Sequence, residues 1–596
     1  MKFSFQDVVI LTSFAGSTHA NYLGPRFPSP IDLTSNSSIV TAGWKNVSVA
    51  LDTYIAGGRF NATTLPLDKL KEITFSAGMF SIHDPAASQL QYHHITEDAK
   101  ASPGTHTLDG DSIYRLASVS KLITVFASLL AFDDDHWEQP ITNFIPGISN
   151  SSFNDAGDDS VLRSQWDNVS LRALASQISG LPRDPSPWFA DIALYDPVTS
   201  APPPRPEKYG LPPLTPEEVA PYLPCLLTPK SEDCSPSEVF EANQGRPPAF
   251  KPWQTTAYAN TNFILLGIAL ANITGKPLPD VYPDLVFEPL GMSRSKSVSP
   301  PESEWSDYVV AANDSRVWAA QGGVTIGSGG LFSTLNDLAK FGTALMNSTL
   351  LSPIKTREWM KPVSHTAALD FSVGAPWEIY RYEHPVTAVV SDVYTKLGDA
   401  GNYTAFACMV PDYDAGFNVL TTSYIPEKSA LASTIADIIT TTMLPALEAQ
   451  AAAEATQSFA GTYKTSDPSL NSSMTITYND TSIDPGLYIT SYTSSGTDMM
   501  PLLPFVSGGR TAKLQASIQT SGQMAFRAVP GKVIYSPGSF LGPFLKMSEA
   551  NGDWLQVDGL TYGGVGMSLF VFDVGSDGKA TYVSHVATRA KLQRVE

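Results

Sequence analysis

The chain has 596 residues, with 38 Lys+Arg against 58 Asp+Glu, a formal net charge of -20. Hydrophobic residues make up 43% and charged residues 16%, a globular rather than a disordered composition, and at about 150 residues per domain the length implies two to four domains. So acidic a surface repels phosphate backbones and anionic lipid, which excludes nucleic acid and a charged membrane as expected partners.

The N-terminus reads Met1-Lys2-Phe3, then Val8-Val9-Ile10-Leu11, then Thr18-His19-Ala20. A basic start, a short apolar core and small residues before a cut predict a signal peptide over 1–20. Of 20 asparagines, 11 stand in N-x-S/T: Asn36, Asn46, Asn61, Asn150, Asn168, Asn272, Asn313, Asn347, Asn402, Asn471 and Asn479. Random placement would give about a fifth, so the excess favours a glycosylating secretory route and an extracellular protein. No membrane-spanning segment is expected.

Periodicity predicts a helix over Ser37–Ile55, with Val40, Trp44, Val47, Leu51 and Ile55 on one face. Lys71–His83 alternates in part and reads as a strand. Ser118–Phe132 is an apolar helix stopped by Asp133-Asp134-Asp135. The stretch 182–252 carries 18 of the 46 prolines, which removes amide donors and makes it an irregular insertion. Helices resume at Thr261–Ile273 and Thr334–Met346. Tyr403–Val410 and Gly416–Ser423 read as adjacent strands, and Lys428–Glu448 as a last helix. The small residues of 449–456 read as a linker, after which 457–596 shows short alternating segments of an all-β domain.

Cysteine is sparse. Cys225 and Cys234 could close one small loop by a disulfide, leaving Cys408 as a buried, inert thiol.

The chemistry gathers at three places. Ser118-Val119-Ser120-Lys121 sets a hydroxyl and an amine one helical turn apart, close enough to share a proton. The helix start and the apolar run behind it push Lys121 toward its neutral form, which can take the serine proton. The same S-x-x-K spacing recurs at Ser293/Lys296, Ser352/Lys355 and Ser576/Lys579, none followed by a long apolar helix. Tyr258-Ala259-Asn260 is the one Y-x-N in the chain. A phenol beside an ammonium is expected to be more acidic than usual and to relay protons with Lys121, while Asn260 could donate to a substrate carbonyl. Lys396-Leu397-Gly398-Asp399 precedes the strand Tyr403–Val410, where a backbone amide near Ser118 would complete an oxyanion hole. His93-His94 reads as a solvated strand end rather than a metal pair, and no metal or organic cofactor is expected.

Ser-x-x-Lys, Tyr-x-Asn and Lys-x-Gly in that order resemble the three motifs of class C β-lactamases and their penicillin-binding and esterase relatives. Leu171–Pro182, Pro289-Leu290-Gly291-Met292 and Ser328–Thr334 with Asp337 are similar to further segments of that family. The resemblance covers about 35–445. It implies an α+β domain over 21–448, an antiparallel sheet flanked by helices plus a helical region, followed by a small barrel-like domain. It also implies Ser118 as nucleophile, Lys121 and Tyr258 as shared base and acid, Asn260 as carbonyl ligand, and the amides of Ser118 and Asp399 as oxyanion donors.

Two departures bear on substrate. Leu397 stands where β-lactamases carry a hydroxyl, and the Asp399 carboxylate is expected to oppose an anionic substrate. The expected activity is hydrolysis of a small ester or amide through an acyl-serine. Acyl transfer to an alcohol or amine and a non-catalytic binding or sensor role are the alternatives; oligomeric state is not legible.

Overall fold

The computed structural model describes residues 23–58, 67–145, 160–185, 192, 206–216, 235–236, 238–239, 243, 246–311, 318–387, 389–480, 484–507, 511–531 and 557–595. Contacts divide the chain into two units, one of 32–381 and 392–443, the other of 1–31, 382–391 and 444–596. Most of the proline-rich insertion, Cys225, Cys234, the 1–20 segment and sequons Asn61, Asn150 and Asn313 lie outside the described residues. Of the remaining sequons, Asn36, Asn46, Asn168, Asn272, Asn347 and Asn471 are exposed, and Asn402 and Asn479 half-buried.

The strands of the first unit are β1 (Thr74–Ser81), β2 (Gln91–His94), β3 (Tyr114–Arg115), β4 (Phe332–Ser333), β5 (Ser364–His365), β6 (Phe371–Val373), β7 (Glu378–Glu383), β8 (Val390–Ala400), β9 (Tyr403–Val410) and β10 (Ala415–Thr422). Eight of them form one sheet in the order β2-β1-β10-β9-β8-β7-β6-β5. Every residue of β1, β9 and β10 is buried. That is why the predicted strand at Lys71–His83 alternates only in part: a strand covered on both faces has no polar side to show.

The main helices are α1 (Ile39–Ile55), α2 (Ser120–Ala131), α3 (Asn260–Thr274), α4 (Leu335–Met346) and α5 (Lys428–Phe459). α1 buries Val40, Trp44, Val47 and Leu51, as its periodicity predicts, and Ser38 caps it by accepting from the amides of Val40 and Thr41. α2 and α3 pack together in the main core with Ile123, Phe126, Phe263 and Leu266 fully buried. α4 lies on β1 and β10; its Gly342 admits the ring of Phe80, which a β-carbon would meet at 2.4 Å.

α5 corrects the expected linker. Residues 449–456 are helical, part of one continuous element from Lys428 to Phe459 with Pro445 inside it. Alanine is the strongest helix former, and this stretch is rich in it. By length and hydropathy α5 could cross a membrane, but 56% of its most apolar window is buried within the protein.

The second unit is built from β11 (Gly461–Lys464), β12 (Ser473–Asn479), β13 (Gly486–Ser494), β14 (Thr497–Asp498), β15 (Ala512–Gln519), β16 (Gln523–Pro530), β17 (Thr561–Tyr562), β18 (Val565–Gly566), β19 (Leu569–Val574), β20 (Ala580–His585) and β21 (Ala590–Arg594). The order β12-β11-β21-β20-β19-β16-β15-β13 closes through β12–β13 pairing into an eight-stranded antiparallel barrel. Its core joins Tyr463, Met474, Ile489, Phe526, Phe570 and Phe572 to Ala451, Ala452, Ala455 and Phe459 of α5. Phe459 meets Phe526 and Phe572 edge-on at 5.0 and 5.2 Å. The residues expected to form a linker thus contribute to the barrel's core.

Candidate active site

The site is assembled where β3 ends and α2 begins. β3 pairs with β4, and the amide of Leu116 donates to Leu331 O at 2.9 Å. Ala117 then takes a left-handed φ of 46°, a costly conformation for a residue with a β-carbon. It turns the chain into the 3₁₀ turn Ala117–Val119, which carries Ser118 at the head of α2.

Lys121 is fully buried. Its Nζ donates to Ser118 Oγ at 2.9 Å, to Asn260 Oδ1 at 2.7 Å and to the carbonyl of Ser328. Ser118 Oγ is also 2.6 Å from the Tyr258 hydroxyl, which lies 3.2 Å from Asn260 Oδ1. Burial first, and the nearby Lys396 second, push the Lys121 amine well below its ordinary value, despite opposing carboxylates at Glu378 and Asp184. The expectation for Lys121 agrees in direction.

The expectation for Tyr258 does not. The residue is 38% exposed, its hydroxyl bonds Ser118 and Asn260, and burial pushes the phenol up, against a smaller opposite effect of the Ser118 hydrogen bond. Lys121, driven toward neutrality, adds little charge to make the phenol acidic, and the lowering effect of Arg183 is opposed by Glu378 and Asp184.

The Tyr258–Asn260 segment is positioned by Leu171–Pro182 and the residues after it. Gln177 Oε1 accepts from the Ala259 amide at 2.8 Å and from Asn262 Nδ2 at 3.0 Å. Arg183 O accepts the Asn260 amide at 2.7 Å. Asn260 gives its Nδ2 to Asp184 Oδ1 at 2.6 Å, which leaves one side-chain N–H for another acceptor. Gly180, at φ +72°, lets Phe250 O approach to 2.1 Å from where a β-carbon would be.

β8 supplies the last wall. A β-carbon at Gly398 would stand 2.1 Å from Leu116 O and 2.9 Å from the amide nitrogens of Ser118 and Val119. Only glycine permits that approach. Lys396 is buried and bonds Glu378 Oε1 at 2.5 Å, with its Nζ 5.3 Å from the centre of the Tyr258 ring. Glu378 Oε2 also accepts the Leu397 amide at 2.8 Å.

Asp399 does not take the expected place. Its carboxylate accepts from Ser429 Oγ at 2.7 Å and Thr404 Oγ1 at 3.0 Å, and pairs with Lys428 at the start of α5. It is tied to that helix rather than presented to a ligand. Sequence reasoning missed Glu378, Asp184 and Ser328. Glu378 had a faint signal, a lone carboxylate after the aromatic Trp377; Ser328 opened a segment similar to the family's without a role being assigned to it, and Asp184 had no signal.

The Ser352/Lys355 pair and His93 have structural partners. Ser352 caps a short helix by accepting the Lys355 amide at 3.2 Å, and Lys355 pairs with Asp134 at 2.8 Å. His93 Nδ1 is 2.8 Å from Ser76 Oγ. Among the described residues no cluster of three or more His, Cys, Asp or Glu could hold a metal ion. Cys408 is free and buried, and burial pushes its thiol well up.

The pattern of the family described as "Beta-lactamase" matches residues 90–440, and that of a "Beta-lactamase-like-like, C-terminal domain" matches 451–596. The chain belongs to the β-lactamase family. It is 31% identical over 446 residues to a "Beta-lactamase-like protein" of Arthroderma benhamiae, covering 72% of this chain and 68% of that one. It is 24% identical to a "Probable hydrolase M10" of Phoma sp., covering 97% and 92%. Among solved structures, a β-lactamase/D-alanine carboxypeptidase from Yersinia pestis aligns at 18% identity and a TM-score of 0.46, covering 68% of this chain and 99% of that one. By the two family matches the architecture is a β-lactamase-like domain followed by the barrel, and two of its relatives are named as probable hydrolases.

Proposed function

We propose that the protein is a serine hydrolase that cleaves a small ester or amide through an acyl-Ser118 intermediate. One observation carries this reading: Ser118 Oγ is 2.9 Å from the amine of a fully buried lysine and 2.6 Å from a tyrosine hydroxyl. The neutral Lys121 amine takes the Ser118 proton as Oγ attacks the carbonyl carbon. The proton then passes by way of the Tyr258 hydroxyl to the leaving group. As the tetrahedral oxyanion forms, the amides of Ser118 and Asp399 face it, with Gly398 allowing β8 close enough. Water then attacks the acyl carbon with the same groups working in reverse.

The exposed sequons support a secreted glycoprotein, as does the basic-apolar-small N-terminus. Treating the protein with a neutral fluorophosphonate and mapping the labelled peptide tests the enzymatic reading. Label at Ser118, abolished in Ser118→Ala, is the expected result. Label elsewhere, or undiminished in the variant, overturns it.

A further inference from the structure

We propose that Glu378 is a specificity-determining residue that closes the site to substrates carrying a carboxylate beside the scissile bond. This deepens the serine-hydrolase reading and rests on it. The cations around Tyr258 are where an acidic substrate would anchor. Arg183 stands at the surface, its side chain 68% exposed and 3.6 Å from Asp184, where water screens it. The buried one, Lys396, is the third-motif lysine.

Lys396 Nζ is held by Glu378 Oε1 at 2.5 Å and by Leu397 O at 2.7 Å. The second oxygen of Glu378 takes the Leu397 amide at 2.8 Å. One carboxylate thus occupies both an ammonium and an adjacent main-chain donor, which together make a site for a carboxylate from outside. Glu378 fills it from within.

The placement is rigid. Thr395 Oγ1 donates to Glu378 O at 2.8 Å across β7 and β8. Trp377, fully buried, packs against Trp359 and Tyr394 at ring distances of 5.1 and 5.7 Å. Lys396 is 1% exposed and Glu378 18%. An incoming carboxylate would have to displace Glu378 from a buried ammonium, leaving a negative charge without its partner. Asp399, bound to Lys428 and Ser429, takes no part in this discrimination. A neutral or cationic substituent meets no such opposition.

The test uses the full chain and three phenyl esters alike in size, whose acyl chains end in a methyl, a carboxylate or an ammonium group. Wild type is expected to cleave the neutral and ammonium esters at least about tenfold faster, in kcat/KM, than the carboxylate ester. In Glu378→Gln, which keeps the shape and removes the charge, the carboxylate-to-neutral ratio is expected to rise about tenfold. Glu378→Asp, which keeps the charge, is expected to hold the ratio low. A wild-type preference for the carboxylate ester overturns the proposal without any variant. So does an unchanged ratio in Glu378→Gln. If that variant does not fold, the wild-type series and Glu378→Asp decide. If wild type cleaves no ester and takes no fluorophosphonate label, the hydrolase reading itself fails, which is a distinct outcome.

Discussion

Gly398 and Ser118 come so close that a β-carbon on the first would stand 2.9 Å from the amide nitrogen of the second. The same carbon would lie 2.1 Å from Leu116 O, so two backbones occupy the space that a methyl group would need. Gly398→Ala should therefore push β8 away from the Ser118 turn. We expect kcat to fall by about 10²-fold or more, as when one oxyanion donor is lost, with a stability loss of about 1–3 kcal/mol. Steady-state kinetics on a neutral ester and urea unfolding of the same preparation check both.

The pH profile follows from Lys121. The neutral amine is the active form, so kcat/KM should fall as pH drops through the lysine's lowered value and hold level above it. The Tyr258 phenol, pushed up by burial, causes no loss in the mildly alkaline range. Lys396→Met should move the acid limb to higher pH. It removes a positive charge that lowers Lys121 and unpairs Glu378, a negative charge that raises it, so both effects have the same sign. A limb that stays still or moves to lower pH would show that another group titrates.

Ser352 and Ser118 share a motif and differ in what surrounds them. Ser352→Ala should cost about 1 kcal/mol through the lost helix cap and leave fluorophosphonate labelling intact. Ser118→Ala should abolish labelling with little change in unfolding midpoint. Thermal melts beside a labelling gel separate the two.

Phe459 lies in the core of the barrel, edge-on to Phe526 and Phe572. Phe459→Ala should destabilise that unit by about 3–5 kcal/mol. Hydrogen exchange in β16 and β19 should rise, while exchange in α2 and α3 stays as in wild type. Uniform loosening of both units would contradict the two-core description.

The order of motifs was legible because each is local: Ser118 to Lys121 is one helical turn, and Tyr258 to Asn260 spans three residues. Strand and helix positions in the first unit followed from apolar runs for the same reason. The partners of those motifs were not legible. Glu378 meets Lys396 across neighbouring strands and Asp184 meets Asn260 over 76 residues of chain, pairings that no spacing rule encodes. Asp399 misled because its neighbour in sequence faces the site whereas its own carboxylate turns to Lys428 and Ser429. The alanines of 449–456 look like filler by composition, but small side chains are also what a helix needs to lie close against a barrel core.

Counting hydrogens around Lys121 gives a rule for the nucleophile. Three oxygens surround Nζ, and an ammonium can satisfy all three with its three N–H bonds. A neutral amine has two N–H bonds and one lone pair, so one of the three oxygens must turn from acceptor to donor. Asn260 Oδ1 and the Ser328 carbonyl have no hydrogen to give; the Ser118 hydroxyl has one. Loss of a single proton from Lys121 therefore points the serine hydrogen at the lone pair that is to receive it, and leaves the Tyr258 hydroxyl to donate to Ser118 Oγ.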